Sequence, residues 1–542
     1  MSACCCSGFS SVCPHWRRVF STGLGRPCNL GYSTGRAGSA GQVLKSAYDD
    51  IIIAIDQGTS STKAIAVSLD GVVTAEATCE LTQSFPSPGW VEQDALEVAD
   101  SVKQVMRALV NKTGAHVAGV GLSTQRESAV AWNRKDGSPL SKIISWQDRR
   151  TVDRAQQRFA SGEASEVRKE SGLPLDPMFS ALKFEWILDT IDADRARARN
   201  GEIVLGTVDS WLVRSLTGET QIELGNASRT QLLNPYNGRW SQALLETFSV
   251  PLQALPELVE SDSVVKTTIN PEIMGMAGVP IVAVLGDSHA ALFGHGIRES
   301  GAVKATYGTG SSVMGLTSTS TGTSAGVVDT VAWSLGGKIA HAFEGNILSS
   351  GATLVWLSGV FGERAEDLAE LAASTQPSPM DFVPGFAGLG VPWWDEHAVA
   401  VISGVTLGTS RADIARAALE AVALQVESVL REAESAGYID RVALVKADGG
   451  PASNDWLMQL QADLSQRKVE RPHNSALSAL GAAWLAGSTL GIWDLGKPPW
   501  PVTDSKEFVP TLEPAYAKER YKRWIQAVSR SRGQAVTTGA SS

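Results

Sequence analysis

The sequence predicts an α/β chain made of two similar halves with mixed sheets. Three observations predict it: short apolar runs of β character alternate with helical patterns, a Gly/Thr/Ser-bearing strand-turn-strand recurs in both halves, and a Gly-Gly pair sits at a strand-to-helix junction. With 542 residues, 43% hydrophobic and 19% charged, the composition excludes a short disulfide scaffold, a collagen-like repeat and wholesale disorder. A net charge of −10 repels polyanions at long range, the opposite sign from that expected of a nucleic-acid or anionic-membrane binder. Any phosphorylated ligand is therefore expected to be held locally, by a bound cation and oriented backbone N–H groups. No apolar run approaches the ~18 residues of a membrane span.

Residues 1–48 stand apart as a targeting or disordered segment. They contain no Asp or Glu, five basic residues (Arg17, Arg18, Arg26, Arg36, Lys45) and abundant Ser and Gly. That is transit-peptide composition, without the apolar core of a secretory signal. Arg18-Val19-Phe20-Ser21 resembles a mitochondrial processing site, so mitochondrion is the expected destination; a plastid, or the cytoplasm if the segment is not a transit peptide, are the alternatives. Five of the six cysteines (Cys4, Cys5, Cys6, Cys13, Cys28) lie here, with no partner set at zinc spacing.

The remainder divides into a first domain over 49–300, a second over 301–530 and a flexible tail over 531–542. Ile51-Ile52-Ile53-Ala54-Ile55 reads as a buried strand, Asp56-Gln57-Gly58-Thr59-Ser60-Ser61-Thr62 as a polar turn and Ala64–Val67 as a second strand. Further β-like runs cover Val117–Leu122, Ile203–Thr207, Ile281–Leu285, Val303–Thr306 and Val442–Val445. The clearest helix begins at Arg411, capped by Ser410 with Asp413 three residues on, and stops at Gly437. Thr317–Ala325 reads as a surface hairpin or loop.

Two of these pieces echo each other. Ile55-Asp56-Gln57-Gly58-Thr59-Ser60-Ser61 is matched by Thr306-Tyr307-Gly308-Thr309-Gly310-Ser311-Ser312, each between apolar runs. Such a turn offers N–H groups and hydroxyls to phosphate oxygens without a positive charge; alone, either is an ordinary hairpin. The third piece, Ala447-Asp448-Gly449-Gly450-Pro451-Ala452-Ser453-Asn454, lets a flat ligand approach the backbone, or is simply a tight loop with Asp448 as helix cap. Walker and dinucleotide-binding patterns are absent. Two phosphate hairpins plus a Gly-Gly loop point to a nucleotide cleft of the actin/hexokinase type.

From about Asp49 to Ala527 the chain resembles the FGGY carbohydrate kinases, and among them the glycerol kinases most closely. The resemblance rests on IDQGTSSTKA from Ile55, FPSPGWVEQD from Phe85, STQRES from Ser123, SWQDRR from Ser145, LPLDPMFS from Leu173, GTVDSWL from Gly206, NASRT from Asn226, LGDSHAALFG from Leu285, YGTGSS from Tyr307 and DGGPASNDWLMQLQADL from Asp448, all in family order. It implies two RNase H-like domains with the catalytic cleft between them, ATP and Mg²⁺ as cofactors, and a small-molecule polyol or sugar as acceptor, with no nucleic acid partner and a homo-oligomer allowed.

Residue by residue, the resemblance assigns Asp287 as the base that takes the acceptor's proton and Asp56 as the Mg²⁺ carboxylate, acting through water. Thr59, Ser60, Ser61, Lys63 and Thr309 match phosphate-side positions, and Gly351, Gly450 and Asn454 match positions beside the nucleoside. Arg126, Glu127 and Trp146 match the acceptor site, together with Met178, Ser288 and Ser312. At five positions the chain departs from the glycerol kinase pattern. Lys63 stands for Arg and loses the bidentate fork; Met178 stands for Tyr, Ser288 for Gln, Ser312 for Phe and Val355 for Gln. The acceptor wall is thereby opened, which makes room for a larger polyol, or a ketose or its alcohol; the leading expectation is phosphorylation of a terminal hydroxyl of glycerol or a related polyol or sugar. A pentulose kinase, and a nucleotide-binding regulator without catalysis, are the competing readings.

Overall fold

The computed structural model describes residues 50–263, 276–317, 326–377, 379–474, 476–500 and 505–534. The targeting segment, nearly all of the expected 317–325 loop and most of the tail lie outside the described residues. The first half is organised by a five-stranded sheet in the order Ile281–Gly286, Val117–Thr124, Ile51–Gln57, Ser61–Ser68, Val73–Glu80. Its first three strands run parallel and the last two close antiparallel hairpins. Ile51–Gln57 is apolar throughout because it is covered on both faces. Ile51, Ile53 and Ile55 meet the helix Ala95–Thr113, while Ile52 and Ala54 meet a second core shared between the halves.

The second half repeats this plan. Lys338–Ile347, Ser311–Leu316, Ala302–Tyr307, Leu444–Asp448 and Lys468–Pro472 lie side by side in the same relative order, flanked by Val328–Leu335 and Ser505–Phe508. The hairpin Ala302–Leu316 is antiparallel, and Leu444–Asp448 joins it in parallel. The echo between the two hairpins is therefore a structural repeat. The helix Arg411–Ser435 covers this sheet and begins with the expected Ser410/Asp413 capping box.

Two helices tie the halves together. Asp287–Gly294 follows directly from the strand Ile281–Gly286, and Leu477–Thr489, late in the chain, returns to pack on it and on the first sheet. Their backbones approach too closely for side chains: a Cβ on Gly481 would sit 1.9 Å from the Ala290 carbonyl oxygen, and one on Gly294 2.4 Å from that of Leu477. Among the described residues no helix is long and apolar enough to cross a membrane.

Candidate active site

The parallel strands Ile51–Gln57, Val117–Thr124 and Ile281–Gly286 bring their C-terminal ends together, which places Asp56, Ser123 and Asp287 at one edge of the first sheet. Ser123 Oγ donates to Asp56 Oδ1 at 3.0 Å. Asp287 Oδ1 accepts the Arg126 Nε–H at 3.0 Å and the Ser288 N–H at 2.6 Å. Among the described residues nothing donates to the Oδ2 of either carboxylate. The Asp287 side chain is 40% exposed, so its free oxygen is reachable from the cleft. Burial, reinforced by the Asp287 charge, pushes the Asp56 carboxyl up to about 6, against the opposing effects of Ser123 and Lys63. Lys63 faces Asp56 across the hairpin register.

Behind Asp287 lies a buried ion network that crosses from one half to the other. Arg126 uses Nη1 and Nη2 on Glu344 Oε2 and Oε1, at 2.9 and 2.7 Å. Arg229 Nη2 lies 3.0 Å from the same carboxylate, and Arg229 Nε donates to Glu127 Oε1 at 2.6 Å. Burial alone would raise the Glu344 carboxyl, but the two guanidiniums hold it well below the usual range. His289, buried among Arg126, Arg229 and Lys304, is held neutral first by burial and then by those cations. Gly286 makes room for Arg126, since a Cβ there would lie 2.5 Å from Arg126 Cδ. Glu127 adopts a left-handed φ of 61°, and its carbonyl is fixed by Ser180 Oγ and Lys183 Nζ.

The hairpin turn that continues from this edge, and its counterpart in the second half, both present unspent donors. In the first, Gly58 N–H bonds Ser61 O, while the carbonyls of Thr59 and Ser60 are held by Gln93 Nε2 and Leu81 N–H. In the second, Gly308 N–H bonds Gly310 O, and the Thr309 carbonyl accepts from Ser350 and Ala352. Among the described residues the N–H groups of Thr59, Ser60, Thr309 and Gly310 have no protein acceptor. Gly351 docks on the second turn, its N–H 2.9 Å from Gly308 O, with Pro451 of the Gly-Gly loop beside it. Backbone N–H clusters of this kind are suited to phosphate oxygens.

Comparison with known proteins reaches the same place from another direction. Residues 51–294 match the N-terminal domain, and residues 303–490 the C-terminal domain, of the FGGY family of carbohydrate kinases. The chain belongs to that family. This FGGY kinase is 40% identical to an apulose kinase of Pectobacterium atrosepticum over 90% of its own length and 99% of the relative's. It is 38% identical to a glycerol kinase of Enterococcus faecalis, over 89% and 98% respectively. Among solved structures it superimposes on a Plasmodium falciparum glycerol kinase with ADP at a TM-score of 0.85, 27% identity, and coverage of 90% of this chain and 99% of that one. A xylulose kinase of Lactobacillus acidophilus, at 20% identity and a TM-score of 0.81, shares the fold over 90% and 99%. The chain is thus a phosphotransferase of a family that uses ATP.

Most residues singled out in the sequence of this kinase do converge. Arg126, Asp287, Ser288 and Ser312 are joined by hydrogen bonds, Glu127 is linked to them through Arg229, and Asp56 lies at the same sheet edge. Arg126 and Glu127 do not pair with each other; each is spent on a partner from elsewhere in the chain. Trp146, 37% exposed, donates from Nε1 to Thr59 Oγ1 at 3.0 Å, so the residue expected as acceptor wall leans on the first hairpin turn. Met178 packs with Leu173, Phe179 and Val328, and Lys183 ties its carbonyl to that of Glu127. Ser60, Thr309 and Gly450 are exposed in their turns, Ser61 starts the second strand, and Asn454 caps the helix Asp455–Ser465 by accepting Leu457 N–H. Val355 is 67% exposed on the helix Gly351–Phe361.

The alternative of Asp448 as helix cap is corrected by the structure. The strand expected at Val442–Val445 runs over Leu444–Asp448 because it pairs with Ala302–Tyr307, and Asp448 is turned to His295 Nε2 at 2.6 Å. Sequence reasoning missed Glu344, Lys304 and Arg229. The signal for the first two was a charge inside an apolar strand, Ala342-Phe343-Glu344 and Val303-Lys304-Ala305, where only a paired charge survives burial.

Asp56 forms no ion pair among the described residues, and no cluster of three or more His, Cys, Asp or Glu side chains stands ready for a metal there. A half-buried carboxylate with a free oxygen fits a hydrated Mg²⁺ that would arrive with the nucleotide, and does not fit an all-protein metal cage.

Proposed function

We propose that this kinase transfers the γ-phosphoryl group of Mg²⁺-ATP to a terminal hydroxyl of glycerol or a related polyol or sugar, with Asp287 as general base. The observation that carries the reading is Asp287 itself: one carboxylate oxygen is anchored by Arg126 and Ser288, and the other is free toward the cleft. A hydroxyl bound at Oδ2 loses its proton there as it attacks, and Arg126 balances the charge through its link to Oδ1. The N–H groups of Thr59, Ser60, Thr309 and Gly310 receive phosphate oxygens. Asp56 would hold Mg²⁺ through water; when bound, the ion neutralises phosphate charge. Cleft closure excludes water, which keeps transfer ahead of hydrolysis. The pentulose reading is favoured by one specific observation, the polar patch Ser288, Ser312 and Lys304 in place of an aromatic wall.

Polyols and ketoses assayed for ADP release with ATP and Mg²⁺ test this reading. Stimulation by at least one of them is expected, whereas equal ATP turnover with and without every alcohol favours a nucleotide-binding regulator. Glycerol is expected to saturate poorly, and Met178→Tyr with Ser312→Phe should lower its KM while raising that of the larger acceptor. Saturation of the unmodified enzyme by micromolar glycerol would contradict the open pocket.

The Asp56 carboxyl gives a pH prediction. Its pKa is raised, so it takes up a proton as pH falls through about 6, and Mg²⁺ must then displace that proton. Apparent Mg²⁺ affinity, titrated at saturating ADP, should fall about tenfold between pH 7 and pH 5, with a weaker and flatter dependence in Asp56→Asn. Identical slopes in the two proteins would remove Asp56 from the metal. We further propose that residues 1–48 direct the protein to the mitochondrion; a fluorescent fusion of that segment found only in the cytosol or a plastid would contradict it.

A further inference from the structure

Arg126 and Glu127 sit in a three-residue turn just beyond the strand Val117–Thr124. The Ser128 N–H closes it on the Arg126 carbonyl at 2.7 Å, with Glu127 between them at a φ of 61°. A positive φ at the centre of so short a turn is strained in a residue other than glycine, and it persists only where the surroundings hold it. This turn sends the two neighbours apart, Arg126 to Asp287 and Glu344, and Glu127 to Arg229. The hold comes from the helix Ser180–Ile191. Onto the Glu127 carbonyl Ser180 Oγ donates at 3.0 Å and Lys183 Nζ at 3.2 Å. Lys183 is fully buried, and its other two hydrogens go to the carbonyls of Met178 and Phe179, at 2.5 and 3.3 Å. All three donors of the ammonium thus meet carbonyl oxygens, with no carboxylate in direct contact among the described residues. Burying such a charge is costly. A methionine would fill the space without it, so what the lysine adds is the grip.

We infer that Lys183 is a positioning residue for the acceptor: by gripping the Glu127 carbonyl it holds the turn that aims Glu127 at the bound alcohol and Arg126 at the base. The inference rests on the alcohol-kinase reading of this cleft and deepens it. Met178 and Phe179 lie at the start of the helix that carries Lys183, whereas Glu127 belongs to another element, so the Glu127 contact is the one that a weaker grip gives up. Burial pushes the Lys183 ammonium down to about 7. The carboxylates of Glu127, Asp148 and Asp176 favour its charged form and Arg149 opposes it, while Arg229, beyond Glu127, is met by Glu127 and Glu344. As pH rises through that value the ammonium becomes an amine with two hydrogens and a lone pair, too few for three carbonyls. The turn then loosens, and acceptor affinity falls.

The test is KM for the best acceptor among glycerol, the pentitols and the pentuloses, measured at pH 6 and pH 8 with saturating Mg²⁺-ATP. In the unmodified enzyme KM should rise about tenfold between the two, the factor for binding that requires one proton on a group titrating near 7. Lys183→Met should show the high KM at both pH values while keeping its ADP affinity. Lys183→Arg, charged throughout, should be flat and low if ADP binding shows it folded. Where neither variant binds ADP, the profile of the unmodified enzyme decides. A KM that does not rise from pH 6 to pH 8 in the unmodified enzyme, a rise of equal size in Lys183→Met, or a Lys183→Met KM equal to the unmodified one at pH 6 overturns the inference. If an alcohol is phosphorylated with a flat KM, the kinase reading stands and this inference falls; if no alcohol is phosphorylated, both fall.

Discussion

Asp287→Asn is expected to bind ADP as the unmodified enzyme does and to lose about 10²–10⁴ in kcat, the usual worth of general-base catalysis. The substitution preserves shape. An asparagine oxygen still accepts from Arg126 Nε and the Ser288 N–H, which hold Oδ1 now at 3.0 and 2.6 Å. The amide NH₂ then occupies the free position and presents a donor where an acceptor of the substrate proton is required. Because the hairpin turns proposed to hold the nucleotide are built from other strands, the loss should fall on kcat and not on nucleotide affinity. Near-normal turnover would remove Asp287 from the role of base.

Glu344→Gln is expected to be the most destabilising single change in the cleft. Glu344 is fully buried and, among the described residues, is the only carboxylate that Arg126 and Arg229 share, both of them nearly inaccessible to water. Removing one partner of a buried pair leaves charge uncompensated, at a cost of about 3–5 kcal/mol. The cost should appear as a lower denaturant midpoint. Since Arg126 also anchors Asp287, activity should fall even in the fraction that remains folded. The link between stability and chemistry is geometric: Glu344 belongs to the second half, whereas Arg126, Arg229 and Asp287 belong to the first. An unchanged midpoint, measured by urea titration with and without ADP, would show that the network is not what holds the halves in register.

The fold was legible where one residue type has one physical use. The apolar run Ile51–Ile55 reads as a doubly covered strand, the Ser410/Asp413 box marks a helix start, and the repeated Gly-Thr turns announce a structural repeat. Legibility failed where partners come from afar. Leu477–Thr489 is apolar on nearly every side, which says that it is buried but not against what; its return to the first sheet depends on Gly294 and Gly481 meeting across more than a hundred residues of chain. The placement of the two aspartates at one sheet edge was legible, because each follows an apolar strand of one parallel set. The site was illegible at Arg126 and Glu127, adjacent in sequence yet each paired with a residue of another element. Lys304 and Glu344 were hidden inside strands whose neighbours are apolar, and a cation and an anion so placed announce burial without naming each other.

The account turns on phosphoryl transfer from ATP to an alcohol bound at Asp287, and ³¹P nuclear magnetic resonance of a complete reaction observes that transfer directly. With ATP, Mg²⁺ and the best acceptor, the γ-phosphate signal should convert stoichiometrically into a sugar or polyol phosphomonoester, with little inorganic phosphate, and the conversion should collapse in Asp287→Asn. Accumulation of inorganic phosphate at the same rate whether or not an alcohol is present, or an equal rate in the Asp287→Asn enzyme, would contradict it.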